Sequence, residues 1–472
     1  MDMFEPQDHP DDIPYPGATP TRPYDNAGYT LAFQMGVQFD RILDGFDGPF
    51  EKLTDFAKAP AGQIRGPQQV AGFYFSHKAN DSFIATNRLL ASNEDVSWCW
   101  DGPLGQGTFY VANKATTRPV LQKIATELGV NFDSAASAPT GVQAKLRKLR
   151  VGVFDTYASS GEPGMQTGWT RLLLENFEFP FEVVYPPMLD EGNLRAKYDV
   201  LVFNNYPLAA GGGGGRGGGG GAGAAAGGDT PPPAGADVAA GRAAGAGGAA
   251  AAGAAAGGGG RGQGGGRGGG QRAAGDDRPA FVDYPEEFTK RRGAISAKTT
   301  ELLKAFVNEG GTIVAIGGAA SSAIQVFGLP LSNHLVRADG TNIPGTDYFV
   351  PGSVLRVAVD PKNPLAHGYG NEVDIFFDNS PVWKNDSARG TAGVQLRNVA
   401  WFSSPTPLRS GWAWGQKFLD KGIQIADASV GQGRVFLFGN ELLFRSQPHG
   451  NYRFFFNAMY LSVAPTIKAG AQ

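Results

Sequence analysis

Cysteine is all but missing from this 472-residue chain, and that absence excludes a good deal. A single Cys99 rules out an intramolecular disulfide framework and any multi-cysteine zinc site. It stands in the apolar run Val96-Ser97-Trp98-Cys99-Trp100 and reads as a buried core thiol. Histidine is scarce too: His9, His77, His334, His367 and His449. Three residues beyond them stand Asp12, Asn80, Arg337, Gly370 and Tyr452. The chain therefore has neither a His-x-x-Glu pair nor a His-Glu-x-x-His motif, and no metal or other cofactor is expected in it. No run approaches the roughly 18 consecutive apolar residues of a membrane helix, so no membrane segment is expected. Excess charge is lacking as well. With 41 basic against 44 acidic side chains the net charge is -3, which gives no overall attraction to nucleic acid. Met1 to Asp8 has no basic region followed by an apolar core, so no signal peptide is expected here. Taken from Met1, the chain would be cytoplasmic.

What is present divides the chain into zones. Residues 1–60, with Pro10, Pro14, Pro16, Pro20 and Pro23, read as an extended strap lying over a neighbour, with one helix over Tyr29 to Leu43. Residues 61–145 read as a small α/β domain: strand Val70 to Phe75, helix Ser82 to Ser92, strands Val96 to Trp100 and Gly107 to Val111, and helix Arg118 to Gly129. Residues 146–472 open a second α/β domain. Its strands are Leu149 to Asp155, Phe181 to Tyr185, Lys197 to Phe203 and Thr312 to Ile316, with helices at Thr167 to Phe177 and Phe288 to Glu309. Continuous apolar strands alternating with helices predict a doubly wound parallel sheet covered on both faces. The tail from Val354 is strand-rich and ends in a helix over Tyr452 to Leu461. Residues 208–275 are nearly all Gly and Ala, bury too little apolar area to order themselves, and read as a disordered insert within that domain. Arg216, Arg242, Arg261, Arg267 and Arg272 in the insert raise RNA binding as an alternative. Sparse arginines, absent aromatics and the offsetting Asp229, Asp237, Asp276 and Asp277 favour a passive expansion, so no nucleic-acid partner is expected.

The turn after Thr312 to Ile316 is Gly317-Gly318-Ala319-Ala320. In hydrolases and amidotransferases of this architecture such a turn is the strained elbow that presents a catalytic Ser or Cys. Here there is none, and Ser321 and Ser322 fall a helical turn too late. Leu149 to Phe203 with Phe306 to Ile324 resembles the class I glutamine amidotransferase-like family, which implies a flavodoxin-like fold. Aligned on Gly310-Gly311, that family's nucleophile falls at about Gly318. No catalytic residue is therefore assigned. Candidate ligand-binding residues are Asp155 at the end of the first strand, Trp169 and Thr170 at the start of the next helix, and Gly317 and Gly318 at the elbow. Glu441 and His449, beyond the strand ending at Gly439, complete the set. Asp155, Trp169, Thr170, Gly317 and Gly318 would share one crevice at the carboxyl edge of the sheet; the structural alternative is that Asp155 and Thr170 only cap turns.

A second resemblance spans most of the chain. Glu5-Pro6-Gln7-Asp8-His9-Pro10, Gly168-Trp169-Thr170-Arg171, Gly192-Asn193-Leu194-Arg195 and Gln447-Pro448-His449-Gly450 look like the C-terminal region of bacterial zinc carboxypeptidase-like proteins of the carboxypeptidase A family. That resemblance implies a zinc-bearing peptidase domain upstream, absent from this chain, and a secreted or periplasmic setting if the start is truncated. It also implies a peptide or a peptidase domain as partner. The expectation is thus a non-catalytic accessory and binding region. The alternative is a secreted metallocarboxypeptidase whose zinc domain lies before Met1.

Overall fold

The computed structural model describes residues 4–18, 20–23, 26–57, 60–156, 164–210, 288 and 291–464. The low-complexity stretch from 211 onward, with its expected disorder and its arginines, lies outside the described residues.

Two sheets organise the chain. The smaller has six strands, ordered Ile64–Arg65, Phe132–Ala135, Gly72–Phe75, Phe109–Ala112, Val96–Cys99 and Gln143–Lys145, with helices Asp81–Ala91 and Thr117–Leu128 beside it. The larger begins with five parallel strands, ordered Phe181–Val184, Val151–Phe154, Val200–Asn204, Thr312–Ile316 and Gly433–Phe438. In chain order that is 2-1-3-4-5, the flavodoxin-like winding. Antiparallel strands Ile423–Val430, Gln395–Trp401, Ser353–Val359 and Glu372–Phe377 extend it at one edge. The fold is therefore α/β, a doubly wound parallel sheet with a smaller α/β unit before it.

The apolar runs form parallel strands because successive side chains point to opposite faces and both faces are covered. Val200 and Val202 join one cluster with Phe436, Phe438 and the final helix; Leu201 and Phe203 join the other with Leu303, Phe306 and Ala319. The first cluster also holds Phe73, Trp98 and Phe109, so the two sheets share one core. Their bridge is the helix Tyr452–Leu461, buried at every position but Arg453.

Some elements differ from expectation. The helix expected over Tyr29 to Leu43 is only Leu31–Met35. Gly36, at φ 64°, turns the chain out of it and lies against Gly450, where a Cβ would meet the Gly450 Cα at 2.9 Å. Leu208 is no part of a loose insert: it is buried, its amide donates to Ser322 Oγ at 2.8 Å, and its carbonyl accepts from Thr300 Oγ1 at 3.1 Å. Of the helix expected from Phe288, Phe288 itself is helical, but 291–296 are not, and the continuous helix is Ala297–Asn308, where Ser296 and Thr299 form a capping box.

Two polar centres are buried, one within the larger unit and one between the sheets. Asp199, with no exposed surface, receives Arg147 (2.8 Å to each oxygen), Arg150 (2.7 Å) and Arg195 (2.9 Å). Burial alone would raise its carboxyl, but the three guanidinium groups outweigh burial and hold it well below the usual carboxylate range. His77 and His367 are buried between the sheets among Phe83, Trp98, Trp100 and Phe109. Burial pushes His367 down to about 4. Burial, with the neighbouring His367 and Arg453, holds His77 well below its ordinary value against a hydrogen bond with Asn457.

These centres give two expectations. Asp199→Asn should cost about 3 kcal/mol, the low end for breaking a buried pair because the arginines are partly exposed. An unchanged urea midpoint would refute the hub. Above pH 6.5 both imidazoles are neutral, folded or unfolded, and nothing is lost. As pH falls from about 6.5 to 4 the unfolded chain takes up protons that the folded one refuses, and His367 alone should cost about 3 kcal/mol. Melting temperatures across that window test this: the decline should shrink in His367→Phe, and a flat profile in the native chain would contradict it.

Candidate functional site

Parallel register decides which residues meet at the carboxyl edge. Asn204 pairs with Ile316, and Ile316 with Phe438, so the turns that follow these three strands lie side by side. They bring Asn205, Gly317 and Glu441 together. The strained residue is Gly317, at φ 61° and ψ -125°, one position before the Gly318 suggested by alignment on Gly310-Gly311. Gly318 is already the first residue of the helix Gly318–Val326. The strand, the sharp turn and the helix behind it thus have the form of a nucleophile elbow with no side chain on it.

Asn205 occupies the place where that side chain would be. A Cβ built on Gly317 would lie 2.0 Å from Asn205 Oδ1, and the same oxygen accepts the Gly318 amide at 2.7 Å. Asn205 reaches there by a left-handed turn, φ 55°, with its own amide donating to the Ile316 carbonyl at 2.9 Å. In an acyl-transfer site an amide following the nucleophile is a natural oxyanion donor. Here it is already satisfied by an internal acceptor.

Glu441 lies beside them. Burial pushes its carboxyl up to about 7 and the like charge of Asp378 adds to this, while hydrogen bonding with Asn205 works against it. The group is therefore close to half protonated at neutral pH, as a general acid or base would be. The described residues lining the cavity beside it include no Ser, Thr or Cys. The cavity bounded by Gln166, Trp169, Asn204, Glu441 and Phe444 holds about 10 Å³, room for one water at most. Trp169 closes it by packing edge-on against Phe444, ring centroids 5.1 Å apart, and Phe444 stacks on Phe376 at 4.3 Å.

The crevice expected from Asp155, Trp169, Thr170, Gly317 and Gly318 is not formed as a whole. Gly317, Gly318, Trp169 and Glu441 do come together. Asp155 instead accepts the Tyr206 hydroxyl at 2.9 Å and the Thr156 amide at 2.8 Å, and burial raises its carboxyl. Trp169 and Thr170 do not open a helix: it runs over Gly164–Asn176, so their amides lie in its second turn, and Thr170 Oγ1 donates to the Gln166 carbonyl at 3.0 Å. His449 faces away, toward the smaller sheet. Its ring stacks on Tyr452 at 4.7 Å and its carbonyl accepts from Asn80 Nδ2 at 2.9 Å. Burial lowers its pKa, against the Ser446 backbone and the charge of Asp81. Asn205 escaped the sequence reading; the signal for it was Asn204-Asn205 directly after an apolar strand, where asparagine tolerates a left-handed turn. Among the described residues no group of three or more His, Cys, Asp or Glu is placed to hold a metal, and no helix is long and apolar enough to cross a membrane.

No family model matches this chain, and no curated protein matches it. Among solved structures it is similar to a cytoplasmic protein from Salmonella typhimurium at 10% identity, over 67% of this chain and 100% of that one, with a TM-score of 0.31. It is similar to a ThuA-like protein from Bacteroides uniformis at 10% identity, over 71% and 98%, with a TM-score of 0.29. It is also similar to a β-galactosidase from Bacillus circulans sp. alkalophilus at 7% identity, over 68% of this chain but 32% of that one, with a TM-score of 0.33.

Proposed function

We propose that this chain is a non-catalytic accessory module, an amidotransferase-like fold with a closed elbow, that works by docking another folded domain. The closed elbow supports the first half of this reading. The second half is carried by the strap: Met35, Val37, Phe39, Ile42, Leu43, Phe46, Phe50, Leu53 and Phe56 are all exposed, with Leu43 at 76% and Phe56 at 94%. From Val37 to Ala57 the backbone forms neither helix nor strand. Burying each such side chain is worth about 1.5–3 kcal/mol, and exposed apolar side chains recurring along one segment mark an interaction site. Its start is anchored on the module itself: the Gln7 carbonyl accepts the Gly411 amide at 2.8 Å, and Trp412 Nε1 donates to Asp11 at 2.7 Å.

The partner of choice is a zinc peptidase domain of the carboxypeptidase A type, which the resemblance in Glu5 to Pro10 and Gln447 to Gly450 supports. Light scattering of the chain mixed with such an isolated domain should give a one-to-one complex. Joint replacement of Phe46, Phe50, Leu53 and Phe56 by Ser should abolish it without lowering the melting temperature of the module. Association that survives the replacement, or its absence from the native chain, would reject docking through the strap. Stoichiometric zinc in the chain alone, with chelator-sensitive release of C-terminal residues from peptides, would reject the non-catalytic reading.

Restoring a nucleophile should fail for a steric reason. Gly317→Ser places a Cβ against Asn205 Oδ1 at a backbone angle unfavourable to side chains, at a cost of about 1–3 kcal/mol for the backbone alone. A lowered melting temperature with no ester or glutamine hydrolysis is expected. A stable variant showing a burst of acyl-enzyme formation would overturn this account of the elbow.

A further inference from the structure

The opposite edge of the parallel sheet carries a feature that the docking reading does not use. Register aligns Val151, Val200, Thr312 and Arg434 in one row at the amino ends of their strands. Beside that row is a cavity of about 340 Å³, lined by Arg147, Arg195 and Arg434 with Gln432 and Ser462 at its border. We propose that this cavity binds a phosphate-type dianion through the three guanidinium groups.

Charge carries the argument. Asp199 is one carboxylate serving Arg147, Arg150 and Arg195, which leaves two positive charges unbalanced. Arg434 makes a third. Its side chain is only 5% exposed, it forms no ion pair among the described residues, and its Nη1 has no hydrogen-bond partner. A buried guanidinium without an anion is costly, and guanidinium groups suit the planar, forked recognition of phosphate oxygens. The acid that strand register brings to the same face is Asp427, opposite Phe436 and diagonal to Arg434, whose direct partner is Ser429. Arg397 stands opposite Asp427 on the next strand; among the described residues no ion pair joins Asp427 to either arginine, and its own buried Oδ1 has no hydrogen-bond partner. The end of the last helix does not consume the charge either. The carbonyls of Met459, Tyr460 and Leu461 accept the amides of Ser462, Val463 and Ala464. The remaining contact of Arg434 is with the Phe436 ring, its guanidinium 5.8 Å from the centroid.

The cavity is larger than a bare phosphate needs, so two sources are separated by experiment: inorganic phosphate and a phosphate monoester, adenosine monophosphate. Each is titrated into the full chain by calorimetry and by thermal melting, with sodium chloride holding the ionic strength constant. At least one should bind and raise the melting temperature beyond the chloride control. Tighter binding of the ester assigns the site to esters, and equal or tighter binding of inorganic phosphate assigns it to the free ion. Arg434→Gln should weaken binding about tenfold or more, the loss of one charge-assisted contact. Because that variant removes a buried group, Gln432→Glu serves as an independent test. Gln432 is exposed beside Gly431, which turns the chain at φ 57°, so the fold should be intact while the new carboxylate repels the ligand by a similar factor. Failure of both ligands to exceed the chloride control, or undiminished binding in Gln432→Glu, would overturn the proposal. Docking through the strap would be untouched by either result.

Discussion

The helix Tyr452–Leu461 is apolar nearly all round, and the architecture depends on burying it. A helix of that kind has no face to offer water and must be enclosed. Phe456 packs on Phe83 of the smaller unit at 4.7 Å and on Phe177 of the larger at 4.6 Å, while the Tyr460 hydroxyl donates to Asn87 at 2.8 Å. Asn457 ties the same helix to the carbonyls of Leu365 and His367. Two sheets that would each leave a face uncovered are thereby closed around one element. This is why the imidazoles of His77 and His367 are dry, and why a chain of two α/β units has one continuous core.

That enclosure bears on the elbow. Phe438, which pairs with the elbow strand, lies in the same core as the helix, and the Gly317 amide donates to the Phe438 carbonyl at 2.8 Å. The turn is thus held from the sheet side whether or not it carries a nucleophile. With glycine at the strained position, the left-handed backbone imposes little steric cost, and the space released is taken by Asn205. The same asparagine satisfies the amide that would have bound an oxyanion. The bare Gly317 and the position of Asn205 are therefore linked, since a Cβ on Gly317 would collide with Asn205 Oδ1. The raised Glu441 persists because burial and Asp378 act on it regardless of any substrate.

Much of the fold was legible because parallel strands covered on both faces are written as continuous apolar runs. Val151–Phe154, Phe181–Val184 and Thr312–Ile316 fall within expected strands, Gly433–Phe438 matches the strand expected to end at Gly439, and Val200–Asn204 runs one residue past its expected end. The short strands Phe132–Ala135 and Gln143–Lys145 were not, since a few residues with mixed polarity carry no period. The helix Gly164–Asn176 was expected to begin three residues late, and that shift alone moved Trp169 and Thr170 from a supposed anion-binding start into an ordinary second turn. His449 was placed by sequence distance from the last parallel strand, whereas its direction is set by stacking on Tyr452. Asn205 and Asp199 were missed because their roles lie in contacts across loops and strands remote in sequence. No local pattern marks a carboxylate that gathers Arg147 and Arg150 from a remote segment besides the nearby Arg195.

The two edges of the sheet have exchanged their usual parts. Open parallel sheets bind ligands at the carboxyl ends of their strands, where loops diverge and helix amino ends point inward. Among the described residues at that edge, Trp169, Phe444 and Asn205 border a space for a single water. The amino edge, normally a place of tight turns and stability, holds the open cavity and the unbalanced arginines. Helix carboxyl ends make that edge slightly negative, which favours cations there. Asp199 holds Arg147, Arg150 and Arg195 close together there, while the last carbonyls of the final helix are taken by backbone amides. Holding them so is the structural preparation that an anion site needs: the repulsion between guanidinium groups is offset in advance, and a dianion entering the cavity meets donors already in place.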